Sequence, residues 1–147
     1  MKVIVNVLVK KGNKLLMVKE ATGKDAGKWN FPAGHLDENE NIFDGAIREA
    51  KEETGFDVKL LNIVDIQNLV MESKHVILFM FAAEIIGGEI SFDKSEILDV
   101  DFIEIDNLLK MTDCEIRSAV PRQQSIKNLI ENKVYSLDII KNFDLRN

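Results

Sequence analysis

Cysteine and proline are scarce in this chain of 147 residues, and its 19 basic residues are outnumbered by 25 acidic ones. The single cysteine, Cys114, cannot form an internal disulfide, and the two prolines and eight glycines form no tract that would mark a linker or a disordered arm. No fixed-period repeat is present, which excludes solenoids. With 46% hydrophobic residues, the chain can bury the core of a single domain, which we predict to span residues 1–147.

The charge balance is acidic. A formal net charge of −6 and an isoelectric point near 5.0 argue against a nucleic-acid partner or an anionic membrane surface. The opening run MKVIVNVLVKKGNK is too short, and too interrupted by Asn6, for a signal peptide or a membrane span. We therefore expect a cytoplasmic protein, either a monomer or a homodimer.

Hydrophobic periodicity predicts strands and helices in alternation. The apolar run from Val3 to Lys10, the turn KGN and the run KLLMVKE predict an N-terminal hairpin. Two long strand-like runs, VKLLNIVDIQNLVM and KHVILFMFAAEII, are separated by ESK, and we expect both at the centre of the sheet. A strand DVDFIEI, a helical stretch from DNLLKM and a terminal helix with Pro121 in its first turn follow.

An amphipathic helix lies between the hairpin and the long strands. Asn39 or Asn41 can cap its start, and Gly55 can end it with a left-handed residue. Its buried stripe is expected to consist of Phe43, Ala46, Ile47, Ala50 and Thr54.

Three glutamates at the end of this helix need an explanation. In REAKEETG, residues 48–55, Glu49, Glu52 and Glu53 recur at spacings of three and four and therefore share one side of the helix. Like charges at these spacings repel, and the C-terminal end of a helix already carries partial negative charge. The simplest interpretation is a solvated charged face, because Arg48 and Lys51 alternate with the glutamates.

Two kinds of cation site are alternatives to a solvated face. A calcium loop starting at Asp37 is excluded, because its glycine position holds Ile42 and its closing glutamate position holds Arg48. Mg²⁺ or Mn²⁺ fits better, since these ions prefer oxygen ligands from carboxylates, water and substrate phosphates. Such a cation would offset the repulsion among the glutamates and stabilise charge on a leaving oxygen.

A longer pattern contains these glutamates. Gly34 is followed after five residues by Glu40, and after seven more by REAKEETGF, which fills every specified position of GX5EX7REUXEEXGU. This pattern resembles the Nudix box. The resemblance implies an α/β fold, with an α/β/α sandwich around a mixed sheet in which the box forms a loop, a helix and a loop.

The resemblance also implies roles for the residues of the box. The catalytic and metal-ligating side chains would be the three glutamates Glu49, Glu52 and Glu53. The carbonyl of Gly34 can add an oxygen to the metal, which would be Mg²⁺ or Mn²⁺. Glu40 and Arg48 would form an ion pair that supports the box and orients the carboxylates.

The family hydrolyses a nucleoside diphosphate linked to another group, by attack of water at phosphorus. Glu49 is our first choice for the general base, although it could instead hold the metal that acidifies the water. In some members the base precedes the last strand of the sheet, where this chain offers Glu96 and Asp99.

Residues outside the box set the substrate. Some ADP-ribose and dinucleoside polyphosphate hydrolases carry a proline or a tyrosine shortly after the box, and both are absent here, which weighs against these substrates. WNFPAGHLDENE, EIRSAV and SIKNLI are similar to a bacterial Nudix phosphatase subgroup that acts on nucleoside tri- and diphosphates and thiamine-type pyrophosphates. The candidate substrate-binding residues are Trp29, Arg117 and Glu96. We favour a packing role for Trp29 over base stacking. The candidates for local positive charge are Lys24, Lys28, Arg117 and Arg122.

We predict metal-dependent hydrolysis of a phosphoanhydride bond in a small nucleoside di- or triphosphate or a related pyrophosphate compound. Cleavage between the α and β phosphates of nucleoside triphosphates, which would clean the nucleotide pool, is an alternative. A nucleotide sensor without turnover is another, because fold resemblance alone does not settle function. All three box glutamates are present, which favours catalysis.

Overall fold

The computed structural model describes residues 1–146 and contains a seven-stranded mixed sheet with three helices. The strands are β1 (Lys2–Lys11), β2 (Lys14–Glu20), β3 (Trp29–Asn30), β4 (Ala33–His35), β5 (Phe56–Met71), β6 (Lys74–Gly88) and β7 (Ile97–Glu104). The helices are α1 (Ile42–Thr54), α2 (Ile105–Leu108) and α3 (Ala119–Ile130), and a 3-10 turn follows at Leu137–Ile139. The predicted α/β class is confirmed, and Pro121 lies in the first turn of α3 as predicted.

The predicted N-terminal hairpin pairs only next to its turn. β1 and β2 pair at Lys10↔Leu15 and Lys11↔Lys14. β1 then pairs in parallel with β6 and antiparallel with β4, whereas β2 pairs with β3 and β7. The two strands thus belong to separate halves of the sheet, and residues 31–32 carry the chain from β3 in one half to β4 in the other.

The β5–β6 hairpin is present, but the expectation that both of its strands are central is wrong for β5. The strand order β3-β2-β1-β6-β5 places β6 inside the sheet and β5 at its edge. The reason lies in burial: β6 has a continuous buried run from Met80 to Ala83, whereas much of β5 alternates between buried and exposed positions. Beyond β5, Tyr135 makes an isolated bridge to Ile63.

Two apolar clusters lie on opposite faces of the sheet. Val5 and Val7 of β1 belong to the cluster that contains Ala50 of α1. Leu8, which points to the opposite face, belongs to the cluster that contains Ile126 of α3. The helices α1 and α3 therefore enclose the sheet as an α/β/α sandwich. No helix within residues 1–146 has both the length and the apolar character needed to cross a bilayer.

The ends of α1 follow from its capping residues. Oδ1 of Asn41 accepts a hydrogen bond from the backbone N–H of Asp44 at 2.8 Å, so Asn41 and not Asn39 is the N-cap. At the other end Gly55 has φ of 85°, and its N–H donates to the carbonyl of Lys51 at 2.9 Å. The predicted termination at Gly55 is confirmed.

The buried side of α1 differs from the predicted stripe at one position. Ile47, which was expected inside, is 36% exposed. Gly45 is buried instead, and a Cβ there would lie 2.4 Å from Cδ2 of Leu36. The absence of a side chain at Gly45 therefore lets the helix approach the loop before it, and the buried arc extends toward the glutamate side. The stripe residues that are buried as predicted are Ala46, Ala50 and Thr54.

Candidate active site

The three glutamates of α1 occupy different environments. The side chain of Glu49 is only 12% exposed, whereas that of Glu52 is 57% exposed. Glu53 is half-buried. At about 100° per residue, the extended buried arc includes positions 49 and 53 and leaves position 52 toward solvent. A solvated charged face therefore describes Glu52 but not Glu49 or Glu53.

The carboxylate of Glu49 packs directly on the backbone of β4. A Cβ at Gly34 would lie 2.1 Å from Cδ of Glu49 and 2.2 and 2.3 Å from its two oxygens. These distances are far below van der Waals contact, so the carboxylate occupies the space that a side chain at position 34 would need. The first glycine of the box thus makes room for the first glutamate of the helix.

Glu53 is the most perturbed acid of the site. Burial raises the pKa of Glu53 to about 8, and the charges of Glu49, Glu20 and Glu96 act in the same direction. The backbone N–H of Ala33 donates to its Oε1 at 2.8 Å and partly opposes the shift. In the metal-free protein this environment therefore favours the protonated form of the carboxyl.

Arg48 connects the three acids of the box that lie nearest to it. It donates to both oxygens of Glu40, from Nε at 3.0 Å and from Nη2 at 2.7 Å. Nη1 donates to Glu49 at 2.8 Å and to Glu52 at 3.1 Å, and Nη2 also reaches the carbonyl of His35 at 3.0 Å. The predicted pair of Glu40 and Arg48 is therefore present, and it extends to two of the glutamates.

The charged groups of this network shift one another's pKa values. The hydrogen bond from Arg48 lowers the pKa of Glu40, and Glu40 and Glu49 together raise the pKa of the guanidinium. Burial raises the pKa of Glu49, although the hydrogen bond from Arg48 limits this shift. Arg48 thus holds the carboxylate of Glu49 in place and favours its ionised form.

Lysine at position 48 is expected to lower the free energy of unfolding by about 1–3 kcal/mol. Arg48→Lys keeps the charge, but an ammonium cannot reproduce the fork that contacts Glu40, Glu49 and the His35 carbonyl together. Urea denaturation measures the effect, with the exposed Lys51→Arg on the same helix as control. A variant as stable and as active as the wild type would show that the fork has no orienting role.

The box residues suit a divalent cation but are not gathered around one point. Within residues 1–146, no group of three or more His, Cys, Asp or Glu side chains is arranged to hold a metal ion. Glu53 turns to the N–H of Ala33 and Glu52 turns to Arg48, because each carboxylate takes a donor from the chain itself. The donor set nevertheless fits Mg²⁺ or Mn²⁺: it offers carboxylate oxygens, and burial raises the pKa values of Glu49 and Glu53, a cost to their charged forms that a bound cation would offset.

Trp29 and Arg117 lie together at β3. Trp29 is half-buried against the α3-side cluster, and its carbonyl accepts a hydrogen bond from the N–H of Arg117 at 2.9 Å. Lys19 covers its ring, with Nζ 5.3 Å from the centroid. Arg117 pairs with Glu20 at 3.3 Å and with Asp25 at 3.2 Å. The contacts of Trp29 agree with the favoured packing role, and those of Arg117 occupy much of its guanidinium.

The two acids near the last strand differ in their relation to the box. Glu96 is exposed, precedes β7 and is close enough to raise the pKa of Glu53 through its charge. Asp99 lies within β7, and its Oδ1 accepts from the N–H of the next residue, Val100, at 2.8 Å. Of the two alternatives for a base outside the box, Glu96 thus has the electrostatic connection to Glu53.

Two further polar residues near the box, Glu20 and Asn30, were not predicted from the sequence. Glu20 ends β2 and Asn30 ends β3, and Nδ2 of Asn30 donates to Oε1 of Glu20 at 3.3 Å. A polar residue at the end of a strand is the sequence feature that could have identified them. β3, however, is only two residues long, so its sequence shows no periodicity that predicts a strand. Only the pairing of β2 with β3 brings the two side chains together.

Comparison with known proteins agrees with the box and the fold. The model of the NUDIX domain matches residues 1–123. Nudix hydrolase 6 of Arabidopsis thaliana is 36% identical over 105 residues, which are 68% of this chain and 37% of that protein. An ADP-ribose pyrophosphatase of Methanocaldococcus jannaschii is 28% identical over 111 residues, which are 74% of this chain and 65% of that protein. The chain thus spans less than two thirds of the length of either relative.

A solved structure extends the similarity over the whole fold. A NUDIX hydrolase from Nitrosomonas europaea aligns with a TM-score of 0.84 at 27% identity and covers 99% of both chains. None of these proteins bears the name of the phosphatase subgroup, so that finer assignment stays a prediction. One relative is named for ADP-ribose, the substrate that the residues after the box weigh against.

Proposed function

The chain belongs to the NUDIX domain family, and from that premise we propose that it catalyses metal-dependent hydrolysis of a phosphoanhydride bond in a small nucleoside di- or triphosphate or related pyrophosphate compound. The observation that carries this proposal is the pair of partly buried carboxylates, Glu49 and Glu53, held against the backbone of Gly34 and Ala33. Their raised pKa values are typical of acids that exchange protons or await a cation. Mg²⁺ or Mn²⁺, bound by Glu49, Glu52, Glu53 and the Gly34 carbonyl, would neutralise phosphate oxygens and acidify a water molecule.

The chain's own residues divide the remaining work. Oε1 of Glu49 is fixed by Arg48, which leaves Oε2 to accept the proton of the attacking water. Glu53 is fixed through Oε1 by Ala33, so its other oxygen is available at the site. Glu40 holds Arg48 by two hydrogen bonds and thereby orients Glu49 without touching the substrate. Glu96 is the substitute base if Glu49 acts only as a ligand.

A substrate panel tests the proposal. Nucleoside tri- and diphosphates, thiamine pyrophosphate and ADP-ribose are incubated with the protein and Mg²⁺. Orthophosphate and pyrophosphate are detected separately, and the organic products are identified by chromatography. We expect turnover that is lost in EDTA, with orthophosphate as the inorganic product. Pyrophosphate from triphosphates would instead establish cleavage between the α and β phosphates. AMP and ribose phosphate from ADP-ribose would align this chain with its archaeal relative.

The sensor alternative makes a different prediction for the same panel. Nucleotide binding measured by calorimetry, with no product formed from any compound in the presence of Mg²⁺ or Mn²⁺, would contradict the proposed catalysis. The presence of every box glutamate and the burial of two of them favour the enzyme over the sensor.

A further inference from the structure

A buried arginine on α3 has few partners for its charge. Arg122 is 4% exposed, and its Nε donates to Oδ1 of Asn30 at 2.9 Å. Among residues 1–146, no carboxylate pairs with Arg122, and Nη1 and Nη2 donate to no acceptor. These nitrogens are also not among the fully enclosed polar atoms without partners. The small remaining exposure therefore lies at the guanidinium end, which opens outward.

The surrounding charges do not neutralise Arg122. The nearby acids Glu20 and Asp25 are engaged by Arg117, at 3.3 and 3.2 Å. Burial lowers the pKa of Arg122 to about 10, and the positive charge of Arg117 adds to this effect while the two acids oppose it. The neutral amide of Asn30 is thus the one direct hydrogen-bond partner of the side chain within residues 1–146.

A buried charge with so little compensation is costly, and an external anion would offset that cost. We propose that Nη1 and Nη2 of Arg122 bind an anionic oxygen group of the substrate, a phosphate or a carboxylate, at a subsite bordered by Asn30, Glu20 and Arg117. This inference rests on the proposed function, because it places the subsite next to the box. A planar guanidinium offers two parallel N–H bonds, which match the paired oxygens of either group.

Asn30 locates this subsite relative to the hydrolytic residues. Asn30 donates to Glu20 and accepts from Arg122, and it lies three residues before Ala33, whose N–H donates to Glu53. A substrate that extends from the glutamates past Asn30 therefore places its phosphoanhydride at the glutamates and a second anionic group at Arg122. The preferred substrates therefore carry a further anionic group in addition to the phosphoanhydride that is cleaved.

Binding is tested first without turnover. Orthophosphate and acetate are titrated separately in EDTA, and NMR follows the arginine Nε–H signals together with the side-chain amide signals of Asn30, which persist in the variants. We expect saturable shifts of the Arg122 signal in the wild type, and the stronger of the two anions identifies the group. Arg122→Met should weaken this binding by at least about ten-fold. Lys127→Met, which removes an exposed cation from the same helix, should leave it unchanged.

Kinetics then separate binding from positioning. With Mg²⁺, Arg122→Met should raise KM for a nucleoside triphosphate by about ten- to a hundred-fold and change kcat by less than about three-fold. For the matched nucleoside diphosphate, Arg122→Met should raise KM by a smaller factor. Arg122→Lys, which keeps the charge without the fork, should fall between Arg122→Met and the wild type in both assays.

Stability distinguishes a binding residue from a structural one. Exchange of an unpaired buried charge for an apolar side chain of similar length should leave the melting temperature equal or higher. A lower melting temperature with unchanged KM and unchanged anion binding would overturn the proposal. If Arg122→Met does not fold, Arg122→Lys with unaltered phosphate affinity and KM has the same consequence. Absence of turnover by the wild type would refute the proposed hydrolysis, whereas the titration would still decide the subsite.

Discussion

Glu53→Gln is expected to reduce turnover by at least about a hundred-fold while the fold remains intact. Glutamine has the same size and keeps an oxygen that can accept the N–H of Ala33. It cannot carry a charge, however, and therefore neither attracts a divalent cation nor exchanges a proton. The measurement is the steady-state rate with Mg²⁺ on the substrate found in the panel, together with circular dichroism of the variant.

The same substitution should change how stability depends on pH. In metal-free protein the raised pKa of Glu53, about 8, means that the folded state holds the proton more tightly than the unfolded state, whose value is near 4.5. The stabilising contribution is complete below pH 4.5 and is lost as the pH rises to about 8. In EDTA, Glu53→Gln should therefore melt above the wild type at pH 8, and the difference should vanish toward pH 4.5.

Two glutamate variants serve as controls for Glu53→Gln. Glu72→Gln removes an exposed acid from the β5–β6 turn and should alter neither activity nor the pH profile. Glu52→Gln should also lower activity, because Glu52 is a proposed ligand with an exposed side chain. If Glu53→Gln kept full activity, or melted in parallel with the wild type at every pH, the assigned role of this carboxyl would be wrong.

Gly34→Ala should abolish most of the activity at little cost in stability. The new Cβ would lie 2.1 Å from Cδ of Glu49, so the carboxylate must leave its place on β4. The displaced group is the end of a flexible side chain, which can swing away with little rearrangement of the backbone. We expect a loss of at least about a hundred-fold in kcat/KM, comparable with removal of a proton-transfer group, and a melting temperature close to the wild type.

A matched glycine and a second substitution sharpen this test. Gly87→Ala on β6 adds the same methyl group where the nearest atom, Oδ2 of Asp57, is 3.3 Å away, and it should retain activity. Glu49→Asp withdraws the carboxylate by one methylene, so its effect and that of Gly34→Ala should not add in the double variant. Additive losses, or a fully active Gly34→Ala, would show that the contact between Gly34 and Glu49 is unimportant.

Local patterns were sufficient for the parts of the fold that local forces determine. The caps of α1 depend on side-chain and backbone geometry within a few residues: the sequence predicts Gly55 at the end of the helix and narrows the start to Asn39 or Asn41, of which Asn41 is the cap. The resemblance to the Nudix box likewise implied the pair of Glu40 and Arg48, which the structure contains.

The missed features depend on contacts between distant segments. β5 reads as a central strand, but within residues 1–146 it pairs with β6 on one side and no further long strand lies beyond it, which puts it at the edge. The exposure of Ile47 follows from the close approach of α1 at Gly45, which helical periodicity does not encode. Arg122 shows the same limit, since a cation in a polar stretch gives no sign that α3 will bury it against Asn30.

The pairing of β1 with β6 has a consequence for how the molecule assembles. The hydrogen bond from the Asn6 side chain to the Phe79 carbonyl joins positions 73 residues apart, and β4, which supports Glu49 and Glu53, is anchored to the same first strand. Closing so long a segment costs conformational entropy, which slows the formation of this pairing. On the ribosome, the N-terminal strand therefore cannot complete its parallel pairing until the sixth strand has been synthesised. The glutamates of α1 thus reach their final contacts with β4 only after a later part of the chain has been made.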